Sequence, residues 1–156
     1  MALMIANPDI RMEIINAVDS SVSIRQKLSA LLTIWGDSKS HTNMSHIIVL
    51  TDRGVIVAGG MLDVSVANVT ILRLCTTIER SPDYEWHNRL MIQFLLESYN
   101  DMDIHVSAAN KRVNFYRDHA FVKKNITNRC ECLHTRNFVH LVRIRPPTAQ
   151  KGTHSI

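Results

Sequence analysis

One stretch of sequence decides the fold of this 156-residue chain: Asn110-Lys111-Arg112-Val113-Asn114-Phe115-Tyr116-Arg117-Asp118-His119-Ala120-Phe121. The apolar run Ile104–Ala108 comes just before it and has the length of a short buried strand. Val113, Phe115 and Tyr116 form the apolar side of the stretch, which predicts an amphipathic helix over Asn110–His119. The two segments together indicate a strand followed by a helix.

Upstream of this unit, three segments rich in apolar and β-branched residues predict strands: His46–Thr51, Val55–Val64 and Asn68–Ile78. Asp52-Arg53-Gly54 has the composition of a tight hairpin turn. The pair Gly59-Gly60 inside the second strand indicates a bulge or a close backbone approach. Because the connections are short, we expect an antiparallel meander.

Helices are predicted on both sides of this meander. Residues 11–18 and 22–35 are interpreted as helices, with Ser20 and Ser21 as caps between them. After the meander, His87–Tyr99 has helical periodicity. Five of its residues are expected to face the core: Leu90, Met91, Phe94, Leu95 and Ser98.

Two final strands, Phe121–Asn125 and Cys132–Ile144, are expected to pair, and Pro146-Pro147 ends the ordered pattern. The predicted order is ααβββαβαββ. A βαβα segment after a meander requires a crossover connection. The predicted fold class is therefore α/β, a mixed, mostly antiparallel sheet flanked by helices. We expect one domain over residues 1–145 and a tail over residues 146–156.

Charge is distributed unevenly along the chain. Residues 1–109 carry 8 Lys and Arg against 12 Asp and Glu, and residues 110–156 carry 10 against 2, which gives −4 and +8 and a net charge of +4. The basic C-terminal third is either a solvated face or a contact for phosphate, nucleic acid or an acidic protein partner. The sequence has no apolar run of bilayer length and no signal-peptide pattern, so we expect no membrane contact and a cytoplasmic location.

The stretch Asn110–Phe121 resembles the GNAT family of acyl-CoA N-acyltransferases. In that family an Asn follows a strand, and an aromatic-Tyr pair and then Gly-Phe come after it. Asn110 and Phe115-Tyr116 stand in those places here, and Ala120-Phe121 replaces Gly-Phe. The predicted order of elements also resembles the GNAT fold, with allowance for a missing or weak first strand near residues 4–10. The resemblance implies that Asn110 contacts the pantetheine arm of acetyl-CoA. It also implies that Tyr116 protonates the leaving thiolate, because a phenol with a pKa of about 10 can protonate a thiolate of about 8.5. The alternative is that Tyr116 is a core residue with its hydroxyl at the edge.

The same resemblance places three residues of the third predicted strand, Leu74, Cys75 and Thr76, with their backbone along the pantetheine. GNAT proteins hold the CoA pyrophosphate on a glycine-rich loop at a helix N-terminus. The corresponding stretch here, residues 82–91, has no glycine. In the best register Trp86, Arg89 and Met91 replace the family's Arg and two Gly residues, so Arg89 and Met91 are expected to crowd the pyrophosphate.

The charges around this loop have opposing effects. Asp83 and Glu85 are expected to repel phosphate, whereas His87, Arg89 and the helix N-terminus provide a positive anion site. The sequence therefore leaves open how firmly the loop holds CoA.

The general base is less clearly marked. The third meander strand contains no carboxylate where several GNAT proteins have one, so Glu79 at its end and His105 on the next strand are the candidates. A structural role is the alternative for His105. A metal site made by Cys130, Cys132, His134 and His140 is disfavoured, because structural zinc sites space their cysteines more widely, and we expect no metal.

Two functional hypotheses follow. In the first, the chain transfers an acetyl group from acetyl-CoA to a primary amine on a small molecule or a protein. In the second, it is a catalytically inactive GNAT-like protein that binds a partner or has a structural role, as in degenerate bacteriophage chains that are components of the virion. The Asn110 and Tyr116 pair favours the first, and the glycine-free loop favours the second.

Overall fold

The computed structural model describes residues 9–18, 21–35, 44–76, 84–124 and 138–146. In chain order the elements are β1 (Ile10–Asn16), α1 (Val22–Trp35), β2 (His46–Asp52), β3 (Val55–Val64), β4 (Asn68–Thr76), α2 (Tyr84–Ser98), β5 (Asp103–Ala109), a 3-10 helix (Asn110–Arg112), α3 (Val113–Arg117), β6 (Val122–Lys123) and β7 (Phe138–Arg143). The described strands form one sheet in the order β1-β2-β3-β4-β5-β7-β6. Within it β4 and β5 run parallel and the other neighbours run antiparallel. The predicted α/β fold class is confirmed.

The predicted meander is β2, β3 and β4. Arg53 and Gly54 both have positive φ, 54° and 83°, as a type I′ hairpin turn requires. A Cβ on Gly59 would overlap the side chain of Leu31 and lie 2.6 Å from the carbonyl oxygen of Ile48. The glycine pair therefore marks a close approach of α1 to the sheet, and the register shifts of β3 lie elsewhere.

The helix predicted over residues 11–18 is wrong, because Ile10–Asn16 forms β1. In this segment exposed Arg11 and Glu13 alternate with partly buried Ile10, Met12 and Ile14, which is the two-residue period of a half-buried strand. The strand pairs with β2 along its whole length. The observed order is therefore βαβββαβαββ, with the 3-10 helix before α3.

Helix α1 matches its prediction. The Oγ of Ser21 accepts a hydrogen bond from the backbone N–H of Ile24 at 3.3 Å, as an N-cap serine does. Leu31 on this helix packs with Ile47 and Val49 on one face of the sheet.

Helix α2 and the Tyr116 segment cover the opposite face and close the larger core. That core contains apolar residues from β2 to β5, from α2 and from β7, and also Tyr116 and Phe121. Helix α2 begins at Tyr84, earlier than predicted, and the core position predicted for Ser98 is wrong because Ser98 is exposed. Ile92, which was not among the residues predicted to face the core, is buried in it.

The parallel pair β4 and β5 is paired over part of its length. The register runs from Asn68↔Asp103 to Ile71↔Val106. Beyond that point β4 stays paired with β3 up to Thr76, and β5 stays paired with β7 up to Ala109. The two strands therefore separate, and we call the gap between residues 72–76 and residues 107–109 the splay.

The helix predicted over Asn110–His119 is two pieces, the 3-10 helix and α3. It ends in a Schellman motif, in which the N–H of Phe121 donates to the carbonyl of Tyr116 and the N–H of Ala120 donates to that of Arg117. Ala120 has a φ of 71°, a conformation that favours glycine, at the position where the GNAT pattern has Gly. The aromatic rings of Tyr116 and Phe121 pack across the motif with centroids 5.4 Å apart.

The two final strands pair as predicted, with Val122↔Val142 and Lys123↔Leu141. They are shorter than predicted within the described residues. Residues 125–137, with Cys130, Cys132 and His134, and residues 147–156 lie outside that part of the chain. None of the helices in the described ranges has the length and apolar character needed to cross a membrane.

Candidate functional site

A cleft of about 570 Å³ lies between the start of α2 and the segment that follows β5. Its first wall is formed by Glu85, Asn88 and Arg89. The second wall comes from the 3-10 helix, α3 and the turn after it: Lys111, Arg112, Asn114, Phe115, Asp118 and His119. Both walls begin beyond the carboxyl ends of β4 and β5. In sheets with parallel strands, such a crevice is where ligands bind.

The first wall contains a buried polar atom that lacks a partner. Asn88 is 1% exposed, and its Oδ1 has no hydrogen-bond donor among the described residues. Leaving a buried acceptor unsatisfied costs free energy, about 1–3 kcal/mol. The cost is removed if a ligand in the cleft supplies an N–H donor.

The second wall combines positive charge with an aromatic ring. The guanidinium of Arg112 lies 5.2 Å from the ring centroid of Phe115. The His119 Nδ1 lies 2.9 Å from the carbonyl oxygen of Phe115, within hydrogen-bond distance. These contacts hold Arg112 and His119 on the Phe115 side of the cleft.

The charge of the cleft is mixed, with a small positive excess. The cleft is lined by the cations Arg89, Lys111 and Arg112 and by two carboxylates, those of Glu85 and Asp118. The N-terminal end of α2, a helix of 15 residues, adds the positive end of its dipole. The cleft therefore suits an anionic ligand that contacts the cations without approaching the two carboxylates.

The residues of the glycine-free stretch lie in different places. Arg89 faces the cleft as predicted, and so does Glu85. Met91 is wholly buried in the core, so the prediction that it crowds the pyrophosphate is wrong. His87 is 5% exposed, packs beside Trp86 with ring centroids 5.4 Å apart, and does not line the cleft. Its helical position turns it about 100° away from Asn88.

Tyr116 and Asn110 do not line the cleft either. Tyr116 is 4% exposed, and its ring makes an edge contact with Phe115 at 5.1 Å. Its side chain belongs to the core that α2 forms with the sheet. Asn110 is exposed at the start of the 3-10 helix, immediately after the end of β5. Their roles in acyl transfer stay predictions.

Leu74, Cys75 and Thr76 form the last residues of β4, so their backbone borders the splay as expected for the pantetheine contact. Glu79 lies outside the described residues.

His105 is on β5, paired with Thr70 and therefore inside the paired part of the two strands. Its Nε2 lies 2.9 Å from the Oδ1 of Asn68. Burial lowers the pKa of His105 below its usual value, and the charge of Lys124 lowers it further, while Asp103 opposes the shift. The amide oxygen of Asn68 accepts hydrogen bonds and cannot donate, so Nε2 is the donor in this contact and Nδ1 is the nitrogen that remains to accept a proton.

A second polar pair was missed by the sequence analysis. The Oγ of Ser107 lies 2.8 Å from the Nδ1 of His140, and the two residues are register partners on β5 and β7. The sequence analysis named His140 only as a possible metal ligand. The pair depends on which residues of two distant strands face each other, and strand register between them cannot be derived from periodicity.

The structure was compared with known proteins. No match was found among protein-family models or among curated protein sequences. Solved structures, in contrast, match closely in shape. Escherichia coli ElaA superposes with a TM-score of 0.57 at 17% identity, over 86% of this chain and 99% of that one.

Two further similar structures contain CoA or an analogue. The catalytic domain of the Tetrahymena GCN5 histone acetyltransferase, in complex with coenzyme A, superposes with a TM-score of 0.60 at 13% identity, over 92% of this chain and 97% of that one. Arabidopsis thaliana Naa50, in complex with the bisubstrate analogue CoA-Ac-MVNAL, gives 0.58 at 12% identity, over 86% and 97%. With the strand order and the splay, these similarities lead to one conclusion: the chain has the GNAT acetyltransferase fold, in a divergent sequence.

Proposed function

We propose that the chain binds acetyl-CoA in the cleft and transfers its acetyl group to a primary amine. The observation that carries the proposal is that the splay and the cleft lie at the same end of the sheet, where β4 and β5 have their carboxyl ends. The separated ends of β4 and β5 leave room for an extended chain between them, and the cleft beyond those ends offers three cations. An extended arm that ends in phosphates, such as CoA, matches this combination.

The phosphates of CoA are proposed to be held by side chains. A glycine-rich loop binds phosphate through its backbone N–H groups, which requires a close approach of the backbone. Here Asn88 and Arg89 occupy that end of α2, and Lys111 and Arg112 face them across the cleft. We propose that Arg89, Lys111 and Arg112 bind the phosphates, while Asn88 Oδ1 accepts an N–H from the ligand. Binding through cations is expected to weaken with salt.

The chemistry requires three proton movements. The acceptor amine must lose a proton before its lone pair attacks the thioester carbonyl, its nitrogen must lose a second proton as the amide forms, and the leaving thiolate must gain one. Tyr116 is the proposed donor, by the family resemblance. His105 and Glu79 are the acceptors proposed from the sequence. The bisubstrate analogue bound to Naa50 joins CoA to the peptide MVNAL. This ligand supports a peptide or a small amine as the class of acceptor.

Isothermal titration calorimetry with acetyl-CoA tests the proposal directly. We expect micromolar binding by the full chain at low salt. The double variant Lys111→Glu/Arg112→Glu should weaken binding at least tenfold, because each charge-assisted hydrogen bond contributes about 1.5–3 kcal/mol. Arg117→Glu is the matched control, since Arg117 is an exposed cation on α3 that does not line the cleft.

Glu85 supports a second candidate function. Its carboxylate lies in the cleft, where it opposes phosphate binding. A GNAT-fold chain that had lost acetyl-CoA binding would act as a binding or structural protein, in the cytoplasm or in a phage virion. The exposed Lys123, Lys124 and Arg145 would then offer contacts to an acidic protein partner or to nucleic acid. If millimolar acetyl-CoA neither binds nor raises the melting temperature, this second function replaces the first.

A further inference from the structure

Strand β5 presents different chemistry on its two faces. Ile104, Val106 and Ala108 are buried in the core that α2 covers. His105 and Ser107 alternate with them and therefore point to the opposite face. On β7, Leu141 is in the same core, so its neighbour His140 shares the face of Ser107. The polar pair Ser107 and His140 thus lies on the face of the sheet opposite the cleft.

The position of Ser107 along the strand links it to the splay. Val106 is the last residue of β5 that pairs with β4, and Ser107 is the next residue. The hydroxyl of Ser107 therefore stands at the inner end of the gap, on the side away from the cleft. Ser107 is exposed, so a molecule that approaches from this side can reach it.

His105 has a different environment, although it lies only two residues earlier. Its Nε2 is bonded to Asn68, which pairs with Asp103 at the opposite end of the β4–β5 register from the splay. The ring is therefore held toward the paired part of the two strands. Ser107 and His140 are closer to the opening than His105.

We propose that Ser107 and His140 accept the proton of the acceptor amine, an inference that rests on the proposed acyl transfer. The ammonium N–H bond breaks and its proton passes to Ser107 Oγ, while the hydroxyl proton of Ser107 passes to His140 Nδ1. The neutral amine then attacks the thioester carbonyl carbon, the C–N bond forms, the C–S bond breaks, and the thiolate takes a proton from Tyr116. The nitrogen of the new amide gives its second proton to the Tyr116 oxygen, which restores the phenol. Ser107 touches the substrate, and His140 acts through it. The imidazolium returns its proton to solvent.

The pair has two charged or titratable neighbours among the described residues. His105 is on the same face of β5, and Lys124 follows β6, where its N–H donates to the carbonyl oxygen of His140 at 2.8 Å. Lys124 also acts on His105, whose pKa it lowers.

The pH dependence of turnover distinguishes this pair from His105. Thiol release from acetyl-CoA is measured against a panel of primary amines, namely putrescine, spermidine, L-lysine and a lysine-containing hexapeptide. For the best amine, we expect wild-type kcat/KM to fall on acidification, because protonation of the accepting base stops it from taking the amine proton. His140→Gln and Ser107→Ala should each lower kcat at least a hundredfold, a typical contribution of general base catalysis. Ser107→Thr, which keeps the hydroxyl, should recover most of the rate.

Each outcome separates this inference from the acyl-transfer proposal. Acetyl-CoA affinity should be the same in wild type, His140→Gln and Ser107→Ala, which shows that these variants fold and bind. If the wild type turns over and His140→Gln keeps both its rate and its acid limb, the pair is overturned while acyl transfer stands. The same holds if His105→Gln alone abolishes the limb. If the wild type binds acetyl-CoA but acetylates none of the four amines, the pair is also overturned, and if it does not bind, acyl transfer itself fails.

Discussion

The sheet has a closed half and an open half, which differ in how their faces are covered. In the closed half, β1 to β4, successive residues Ile47–Leu50 are all buried because α1 covers one face and α2 the other. Its buried oxygen without a hydrogen bond, Asp52 Oδ1, and its left-handed residue, Arg53, both lie at the hairpin turn. In the open half, the corresponding features are the Oδ1 of Asn88, a residue that lines the cleft, and the left-handed backbone of Ala120. Strain and unmet hydrogen bonds are tolerated where the surrounding fold is stable enough, and they cluster at functional sites. The closed half therefore stabilises the fold through its buried side chains. In the open half, a ligand would supply the hydrogen bond that Asn88 Oδ1 lacks.

The largest effect should come from the closed half, at Gly59. A methyl group there would meet the side chain of Leu31 and the carbonyl oxygen of Ile48, which is backbone and cannot rotate away. We expect Gly59→Ala to lower the free energy of unfolding by about 3 kcal/mol, the upper part of the range for overpacking. Urea denaturation measures the change.

Gly54→Ala is the matched control for Gly59→Ala. A Cβ at Gly54 meets nothing within 4 Å, although its φ is +83°. The loss should be about 1 kcal/mol, from backbone strain alone. Equal losses at the two glycines would contradict the idea that the closed half is packed to the limit around Gly59.

A smaller effect with the opposite sign is expected in the open half, at Asn88. Asn88→Leu replaces the unsatisfied Oδ1 by apolar atoms at similar volume. We expect the free energy of unfolding of the ligand-free protein to rise by about 1 kcal/mol, because a buried acceptor without a partner is removed. Acetyl-CoA affinity should fall about tenfold in the same variant, since one hydrogen bond to the ligand is lost.

Asn114→Leu provides the comparison for this variant. Asn114 lies on the other wall of the cleft and is exposed, so its replacement removes no buried polar group. Its unfolding free energy should change by less than about 0.5 kcal/mol. If Asn88→Leu were less stable than wild type, Asn88 would have a structural role in the closed packing rather than a role toward a ligand.

How far the sequence predicted the fold also differs between the two halves. In the closed half the hairpin turn and the bounds of β3 were predicted correctly, because alternation and turn residues are local signals. The error there, residues 11–18, arose where an alternating pattern of seven residues was interpreted as a helix. In the open half the strand Ile104–Ala108 and a following helix were predicted, but the division into a 3-10 helix and α3 was not.

The candidate site was predicted less completely, for physical reasons. Arg89 was predicted near the CoA pyrophosphate by the GNAT resemblance of residues 82–91, and it lines the cleft. That it binds CoA stays a prediction. Lys111, Arg112 and His119 were not recognised, because they reach the cleft only when α3 packs opposite α2. The pair Ser107 and His140 depends on the register of β5 with β7. Side chains that meet through tertiary contacts leave no mark in a local pattern.

The smallest expected effect concerns Ala120, which has a left-handed backbone where the GNAT pattern has Gly. An alanine at a φ of 71° costs about 1–2 kcal/mol relative to the right-handed region, and glycine avoids most of this cost. Part of the gain is lost because glycine has more conformational freedom in the unfolded chain. We therefore expect Ala120→Gly to raise the free energy of unfolding by about 0.5 kcal/mol, as measured by urea denaturation. Ala109→Gly is the control, since Ala109 has an extended backbone with φ −61° and should lose about 0.5–1 kcal/mol. A gain at both positions, or at neither, would mean that the open half carries no local strain at Ala120, and the contrast with the closed half would then depend on Asn88 alone.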